Sequence, residues 1–411
     1  MSLAATPAIP QEPPFFGWHV AWAAFTVAVF GWGMSFYGPP IFLPAIQAAR
    51  GWSVALISAA VTSHFLLGAV VVANLAALHA RFGIVAVTRA AAVASALGIL
   101  GWALAAEPWQ LFAATLVSGF GWAATGGAAI NAMVSPWFAR RRPAALSLAY
   151  NGASVGGILF SPLWVALIAA CGFVGAAALV GGAMVVALWW LSGRYFGPTP
   201  ASLGQRPDGG AAGPVAPPGP ALLPGRALWS DRRFVTLAVA ASLILFAQIG
   251  LIAHLFSLLL PAMGAQGAGF AAGLATACAI AGRSVFGWLL PPEADRRRVA
   301  AANSAVQILG SLALLAAAGT SVPLLVLGVV LFGLGLGNAA SLPPLIAQQD
   351  FAPADTARAV ALVTACNQAV YAFAPAAFGV LRLVGESWLF LAAAVIQAAA
   401  AGVVLMGRGI R

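Results

Sequence analysis

Arg283 is the residue whose position in the sequence most directly predicts chemistry. It lies inside a long apolar stretch, where an arginine costs roughly 2.5–3.5 kcal/mol. All nine acidic residues fall outside such stretches or at their ends, so none is placed to neutralise it. A substrate carboxylate would supply the missing partner, because a guanidinium binds a carboxylate through two parallel hydrogen bonds. The alternative is a structural role: Arg283 lies seven residues, roughly 10 Å by helix rise, from the nearer end of its span, so its guanidinium could extend to the membrane surface.

Two histidines are also placed within apolar stretches, His64 and His254. Either imidazole could titrate near neutral pH or hydrogen-bond a substrate. Either could equally make a hydrogen bond between two helices and take no part in binding. The sequence leaves both interpretations open.

Five further polar residues are candidates for substrate binding because polar groups in membrane helices face the interior of the bundle. Tyr37 and Tyr371 could form an apolar wall with a hydroxyl directed at a carboxylate. The amides are Asn131, Asn338 and Asn367. The alternative role for each of them is a contact between helices.

The composition indicates which elements must position these residues. Of the 411 residues, 62% are hydrophobic and only 7% are charged, against about 25% charged in soluble proteins. Continuous apolar runs of roughly 20 residues or more predict transmembrane helices and not barrel strands. We therefore predict an all-α membrane protein with twelve transmembrane helices, at 17–46, 53–79, 83–105, 108–137, 144–170, 173–195, 233–262, 268–290, 299–319, 321–348, 356–382 and 386–407.

The charge distribution predicts how the helices are oriented. The chain contains no lysine; Arg50 and Arg382 fall on one side of the membrane, Arg283 lies within a span, and the other sixteen of nineteen arginines fall on the opposite side. Basic residues concentrate on the cytoplasmic side. We therefore expect a multi-pass protein of the cell inner membrane with both termini in the cytoplasm. The net charge of +10 is explained by this topology and not by nucleic-acid binding.

A segment rich in proline and glycine divides the chain near its middle. It predicts an N-terminal six-helix half at 1–196, a cytoplasmic linker at 197–230 and a C-terminal six-helix half at 231–411. Phe120-Gly121 and Phe332-Gly333 open similar glycine-rich stretches in the two halves. Two pseudo-symmetric halves predict a binding site at their interface. Gly152 and Gly156, one helical turn apart, predict a close contact between helices.

Several motifs resemble one family. The segment 136–157, PWFARRRPAALSLAYNGASVGG, is similar to the signature between helices four and five of monocarboxylate transporters and oxalate/formate antiporters in the major facilitator superfamily. Gly17-Trp18, Arg50-Gly-Trp-Ser53, Gly282-Arg283 with Gly287, and Asp295-Arg-Arg-Arg-Val299 also look like that group. The resemblance covers nearly the whole chain and implies the major facilitator fold.

The sequence departs from this family at positions that matter for substrate and coupling. The loop 78–83, LHARFG, lacks the aspartate of the superfamily motif. Animal monocarboxylate transporters carry an aspartate where this chain has Ala279, and a lysine in helix one that is absent here. Oxalate exchangers carry a lysine in helix eleven, where this chain offers Asn367 and Gln368. These differences argue against a dianionic substrate and against proton coupling by the animal route.

These observations together predict a secondary active or facilitative transporter of a small organic anion, most simply a monocarboxylate, working by alternating access. One fixed positive charge is neutralised by a monoanion, whereas a dianion would leave a negative charge in a low-dielectric site. The co-substrate could be a proton or a counter-anion. We expect a monomer in contact with membrane lipid, no enzymatic activity, no catalytic residue, no cofactor and no metal site, since no nucleotide-binding or metal-binding motif is present.

Two other functions fit parts of the sequence. A multidrug or metabolite exporter of the same fold would have a large apolar cavity that Arg283 does not face. A membrane sensor without transport activity is less favoured, because we would expect it to carry a soluble signalling domain.

Overall fold

The computed structural model describes residues 15–139, 141–209, 225–289 and 294–408, and every regular element in them is helical. Eight helices are long and apolar enough to cross a membrane, and a bent pair makes a ninth. Three of these nine are each divided by a glycine with non-helical backbone angles. The described residues therefore form twelve spans: α1 Gly17–Arg50, α2 54–82, α3 84–104, α4 Pro108–Trp137, α5 142–171, α6 173–196, α7 232–263, α8 265–289, α9 Arg296–Ala316, α10 322–350, α11 353–384 and α12 Glu386–Met406.

The three dividing glycines make sharp reversals between consecutive spans. Gly83, Gly172 and Gly264 have φ values of 79°, 71° and 67° with extended ψ, a conformation that residues with a Cβ avoid. His64 and Trp102 are equally far along the chain from Gly83, on either side of it, and their rings pack 6.1 Å apart. Such pairing shows that α2 and α3 run antiparallel. The prediction of twelve transmembrane helices is confirmed.

Four spans are interrupted within the bundle. Span α1 breaks after Ser35 and resumes at Pro39, as its prolines predict. Spans α4, α10 and α11 break at Gly126, at Gly337 and between Tyr371 and Ala374. Each break leaves backbone N–H and C=O groups without a partner in the helix. Within a membrane these groups must bond to other protein groups.

Small residues bring helices together within each half. A Cβ on Gly152 would collide with the carbonyl oxygen of Phe25, and a Cβ on Gly156 with that of Val29. The predicted close contact is therefore confirmed, between α5 and α1. In the C-terminal half, a Cβ on Gly333 of α10 would lie 2.6 Å from the carbonyl oxygen of Ala275 on α8.

The two halves meet at one end of the bundle. We call the end that carries the α1–α2, α5–α6, α7–α8 and α11–α12 connections the distal end, and the end at which α1 begins and α12 ends the proximal end. Contacts between the halves among the described residues cluster in the distal parts of the spans, where α2 meets α11 and α5 meets α8. Glycines allow these crossings: a Cβ on Gly379 of α11 would lie 2.7 Å from the Ser58 side chain of α2.

The predicted linker at 197–230 is described in part. It begins with short 3₁₀ turns at Ala201–Leu203 and Pro207–Gly209 and ends in the short helix Gly225–Ser230, while 210–224 lie outside the described residues. Its first part is attached to the N-terminal half. Asp208 accepts hydrogen bonds from the backbone N–H groups of Ala139 and Arg141, at 3.0 and 3.2 Å.

Arg297, one of the sixteen arginines counted on one side of the membrane, is buried. Its side chain is 2% exposed at the proximal end of the C-terminal half, where its three guanidinium nitrogens make five polar contacts. Two reach the Asp350 carboxylate at 2.8 and 2.9 Å. The others reach Thr236 Oγ1 and the carbonyl oxygens of Arg233 and Val404. One arginine therefore ties α7, α9, α10 and α12 together.

Asp295 caps the start of α9 beside this arginine. Its Oδ1 accepts from the backbone N–H groups of Arg297 and Arg298, and its Oδ2 lies 2.7 Å from Arg408 Nε. Partial burial alone would raise the pKa of Asp295, but those two N–H groups and the Arg408 cation together lower it. The carboxylate therefore stays charged and stabilises the N-terminus of α9.

Candidate functional site

Arg283 lies on α8 where α10 is broken. The break at Gly337 leaves carbonyl groups at the end of the first α10 segment without helical partners. Arg283 Nε donates to the Gly337 carbonyl oxygen at 3.1 Å. The two helices can approach closely because Gly282 has no side chain: a Cβ there would collide with the carbonyl oxygen of Leu334. The guanidinium is thus held against the middle of α10.

The charge of Arg283 has no acidic partner among the described residues. The ion pairs there involve Asp295, Asp350 and Glu386, and none of them includes Arg283. Its terminal Nη nitrogens make no hydrogen bond to described groups, since the contact with Gly337 uses Nε alone. Two parallel donors on one edge of the guanidinium therefore remain available to a carboxylate.

Tyr37 approaches this cation from the other half. It lies at the break in α1 and is half-buried, and it interacts electrostatically with Arg283. Its hydroxyl also interacts with the side chain of Thr276, two helical turns before Arg283 on α8. Gly157 of α5 makes room for this pair, because a Cβ there would lie 2.7 Å from both side chains. A cation and two hydroxyl groups therefore converge at the interface between the halves.

A small cavity lies beside this cluster and is lined from both halves. Tyr37, Ser161 and Thr276 supply its polar atoms. The other lining residues are apolar, namely Pro40, Ile41, Ile252, Leu255, Phe256, Ala272, Ala275 and Leu336. Arg283 is not part of its lining; it bonds to Gly337, the residue that follows the lining residue Leu336. The cavity has a volume of about 20 Å³, room for about one water molecule.

His64 lies inside the N-terminal half and not at the interface. The side chain is fully buried, and Nδ1 lies 2.9 Å from Ser118 Oγ on α4. The same hydroxyl accepts a hydrogen bond from Trp102 Nε1 at 3.1 Å. His64 therefore joins α2, α3 and α4, as the helix-contact alternative predicts.

His254 lies inside the C-terminal half, at the break in α11. It is fully buried, and Nε2 lies 3.2 Å from the carbonyl oxygen of Pro375. A carbonyl can only accept, so Nε2 carries the proton. Nδ1 has no partner among the described groups. This histidine joins α7 and α11.

The side chains of the three asparagines form hydrogen bonds to other described groups and not to Arg283. Asn338 donates to Asn303 Oδ1 at 2.9 Å, and Asn367 accepts from Ser242 at 3.0 Å, in each case between helices of the C-terminal half. Asn131 is exposed on α4 and accepts from Ser135 at 2.8 Å. The structure thus brings together Tyr37 and Arg283 but not these amides.

Tyr371 is the last residue of the first segment of α11, directly before the break, and it lies at the interface between the halves. Its ring packs edge-on against Phe65 of the other half, with centroids 6.0 Å apart. Its hydroxyl interacts with the Gln368 side chain on its own helix. Tyr371 therefore forms part of the closed distal interface.

Sequence reasoning missed two threonines at the interface. Thr276 interacts with Tyr37, and Thr62 of α2 accepts a hydrogen bond from the backbone of α11. Hydroxyl residues are common in membrane helices because they can bond to their own backbone. The one available signal for Thr276 is its spacing of seven residues from Arg283, which places both on one helix face.

Comparisons with known proteins agree with this architecture. Residues 21–375 match the family described as the Major Facilitator Superfamily. A mutant of the nucleoside transporter NupG superposes with a TM-score of 0.74 at 12% identity, covering 95% of this chain and 100% of that one. A bacterial homologue of the human lysosomal transporter Spinster, in an inward-facing and occupied conformation, superposes with a TM-score of 0.67 at 15% identity, covering 96% and 95%. A comparison with curated protein sequences finds no match.

Proposed function

Since the chain belongs to the major facilitator superfamily, whose members carry small molecules across membranes, we propose that it transports a small monocarboxylate. The observation that carries the proposal is Arg283: a cation within a span, held by Gly337, without an acidic partner among the described residues. A bound carboxylate would neutralise it through the two Nη donors. Tyr37 and Thr276 would hydrogen-bond the same carboxylate.

The surroundings of Arg283 favour a monoanion with an apolar body. One guanidinium balances one negative charge, and a second carboxylate would have to be buried against apolar side chains such as Leu255, Phe256 and Leu336. Hydrophobic lining with a few polar groups is typical of sites for small molecules. We propose that the apolar part of the substrate packs against these side chains when the halves move apart at this interface.

Alternating access would operate by rocking of the two halves about this site. The described contacts between halves cluster at the distal end, which supports a conformation that admits substrate from the proximal end. We propose that the proximal end faces the cytoplasm of a cell inner membrane, because it carries the excess of arginine. The division at 197–230 and a monomeric state remain part of the proposal.

We expect a monocarboxylate to be exchanged in preference to other solutes. Proteoliposomes containing the purified protein would be loaded with unlabelled acids and tested for counterflow of labelled aliphatic and aromatic monocarboxylates. Matched dicarboxylates would be exchanged more weakly, since a second charge has no partner. Faster counterflow of a dicarboxylate than of its monocarboxylate analogue would contradict the proposal.

An exporter of amphipathic molecules is the second candidate, and the apolar lining of the cavity favours it. That function does not require the charge of Arg283. Counterflow or binding of neutral and cationic amphiphiles, without any response to carboxylates, would support export and contradict carboxylate transport.

We propose that binding of the substrate charge, and not a histidine, permits the conformational change. His64 and His254 are buried within single halves and bonded to neighbouring helices. Exchange is therefore expected to continue when both are replaced by glutamine, which keeps a side-chain N–H donor. An imposed pH gradient is expected to drive no accumulation. Accumulation that disappears in the double variant would establish the histidine route instead.

A further inference from the structure

The peptide group between Pro375 and Ala376, at the break in α11, forms hydrogen bonds through both its carbonyl and its N–H. The second segment of α11 begins at Ala374, with Pro375 in its first turn. The amide N–H groups of a first helical turn have no partner in their own helix. In a membrane-embedded helix such a group must find an acceptor elsewhere in the protein.

That acceptor comes from the other half of the molecule. The N–H of Ala376 donates to Thr62 Oγ1 on α2 at 3.1 Å. Thr62 is buried, with 7% exposure. The Thr62 hydroxyl acts as an N-cap for the second segment of α11, although it belongs to the other half of the chain. A cap is normally a side-chain oxygen at the start of the same helix. The bond exists only while α2 and α11 are in contact, and therefore only while the distal end is closed.

The carbonyl of the same peptide group is held by the C-terminal half. The group consists of the Pro375 carbonyl and the Ala376 N–H, and His254 Nε2 donates to that carbonyl at 3.2 Å. A hydrogen bond accepted by the carbonyl polarises the peptide and strengthens its N–H as a donor. It also fixes the orientation in which the N–H points at α2. His254 thereby acts on Thr62 through one peptide group.

We infer that Thr62 is a latch of the closed distal end and that His254 is the positioning residue that sets its strength. Neither residue needs to touch the substrate. Opening of the distal end breaks the bond between Thr62 and Ala376 but leaves the bond within the C-terminal half intact. The pair would therefore bias the equilibrium between closed and open distal ends, whichever solute the protein carries.

The test measures how often the distal end opens. Ser58 is 1% exposed and is packed against Gly379 in the closed interface. The reporter substitution Ser58→Cys can therefore react with a water-soluble maleimide only after opening. The reporter would be placed in a background without Cys171, Cys278 and Cys366 and assayed in nanodiscs, where both membrane faces are accessible. Thr62→Val is expected to raise the labelling rate about three- to tenfold, the effect of one lost hydrogen bond. Thr62→Ser keeps the acceptor and should label at the parental rate.

Thr88→Val is the matched control, because Thr88 is fully buried but bonds only to Ile84 within its own helix. It should leave the labelling rate of the Ser58 reporter unchanged. His254→Leu is expected to label faster than the parent. His254→Gln keeps a hydrogen-bond donor and is expected to label at the slow parental rate. The double variant Thr62→Val with His254→Leu should label no faster than the faster single variant, since both remove one interaction.

Two results would overturn the inference. One is a Thr62→Val rate equal to that of the parent, with a monodisperse elution profile that shows an intact fold. The other is equal acceleration by Thr62→Val and Thr88→Val, which would indicate general loosening. Because the assay needs no substrate, its failure is distinguishable from failure of carboxylate counterflow.

Discussion

Replacement of Arg283 by glutamine is expected to abolish carboxylate binding while leaving the protein folded. Removing one member of a buried, hydrogen-bonded charge pair costs about 2–5 kcal/mol, which corresponds to about a 30-fold to several-thousand-fold rise in Kd. Glutamine can still donate to the Gly337 carbonyl, so the contact between α8 and α10 survives. Counterflow in proteoliposomes and binding to purified protein would measure the loss.

The lysine variant separates charge from geometry. Arg283→Lys retains the positive charge but presents a single ammonium instead of a planar edge with two donors. An ammonium bound to Gly337 would have to be shared with the substrate. We therefore expect weak residual binding, well below that of the parent protein and above that of Arg283→Gln.

Arg89 provides a matched control for these variants. Like Arg283, it bonds through Nε within its own half, to Ser192 at 3.3 Å, but it also bonds through a terminal nitrogen, to the Trp189 carbonyl at 3.4 Å. It does not line the cavity. Arg89→Gln should leave counterflow close to that of the parent. Parental counterflow by Arg283→Gln would assign Arg283 a structural role and leave export of amphipathic molecules as the better account.

The architecture was predictable because few backbone structures can span a bilayer. Every backbone group in the hydrocarbon core must be bonded, so long apolar runs can only be helices. The breaks in α1 follow from Pro39 and Pro40, and the close approach of α5 to α1 follows from Gly152 and Gly156. Arg283 stands out in the sequence because charge within a span is rare.

The partners of the polar residues were not predictable, since they are set by tertiary contacts between distant segments. Thr62 and Ala376 are separated by most of the chain and belong to common residue types. Asn338 looks like a substrate ligand in sequence, yet its amide bonds to Asn303. A single sequence indicates that a polar group is buried but not which group it meets.

The burial of Arg297 was not predictable for the same reason. It stands between Arg296 and Arg298 in a run of three arginines, and the sequence does not distinguish them. Position on the helix decides: Arg298 is 68% exposed, whereas Arg297 turns inwards to Asp350. The sixteen arginines counted on one side of the membrane therefore include one cation that mainly holds helices together.

Arg297→Met is expected to destabilise the C-terminal half by about 3–5 kcal/mol, the usual cost of breaking a buried ion pair from one side. Methionine fills part of the space but leaves the Asp350 carboxylate and the carbonyl oxygens of Arg233 and Val404 without their donors. Thermal unfolding of the purified protein in detergent would report the effect as a lower Tm.

Arg298→Gln is the control, because Arg298 forms only an exposed pair with Asp295, at 3.8 Å. Pairs of that kind contribute roughly 0–1 kcal/mol, so the Tm should barely change. Adding Asp350→Asn to Arg297→Met removes the unpaired charge and should recover part of the loss. A double variant less stable than Arg297→Met alone would show that the stranded carboxylate is not the cause. Equal Tm values for Arg297→Met and Arg298→Gln would show that the buried arginine does not hold the four helices together.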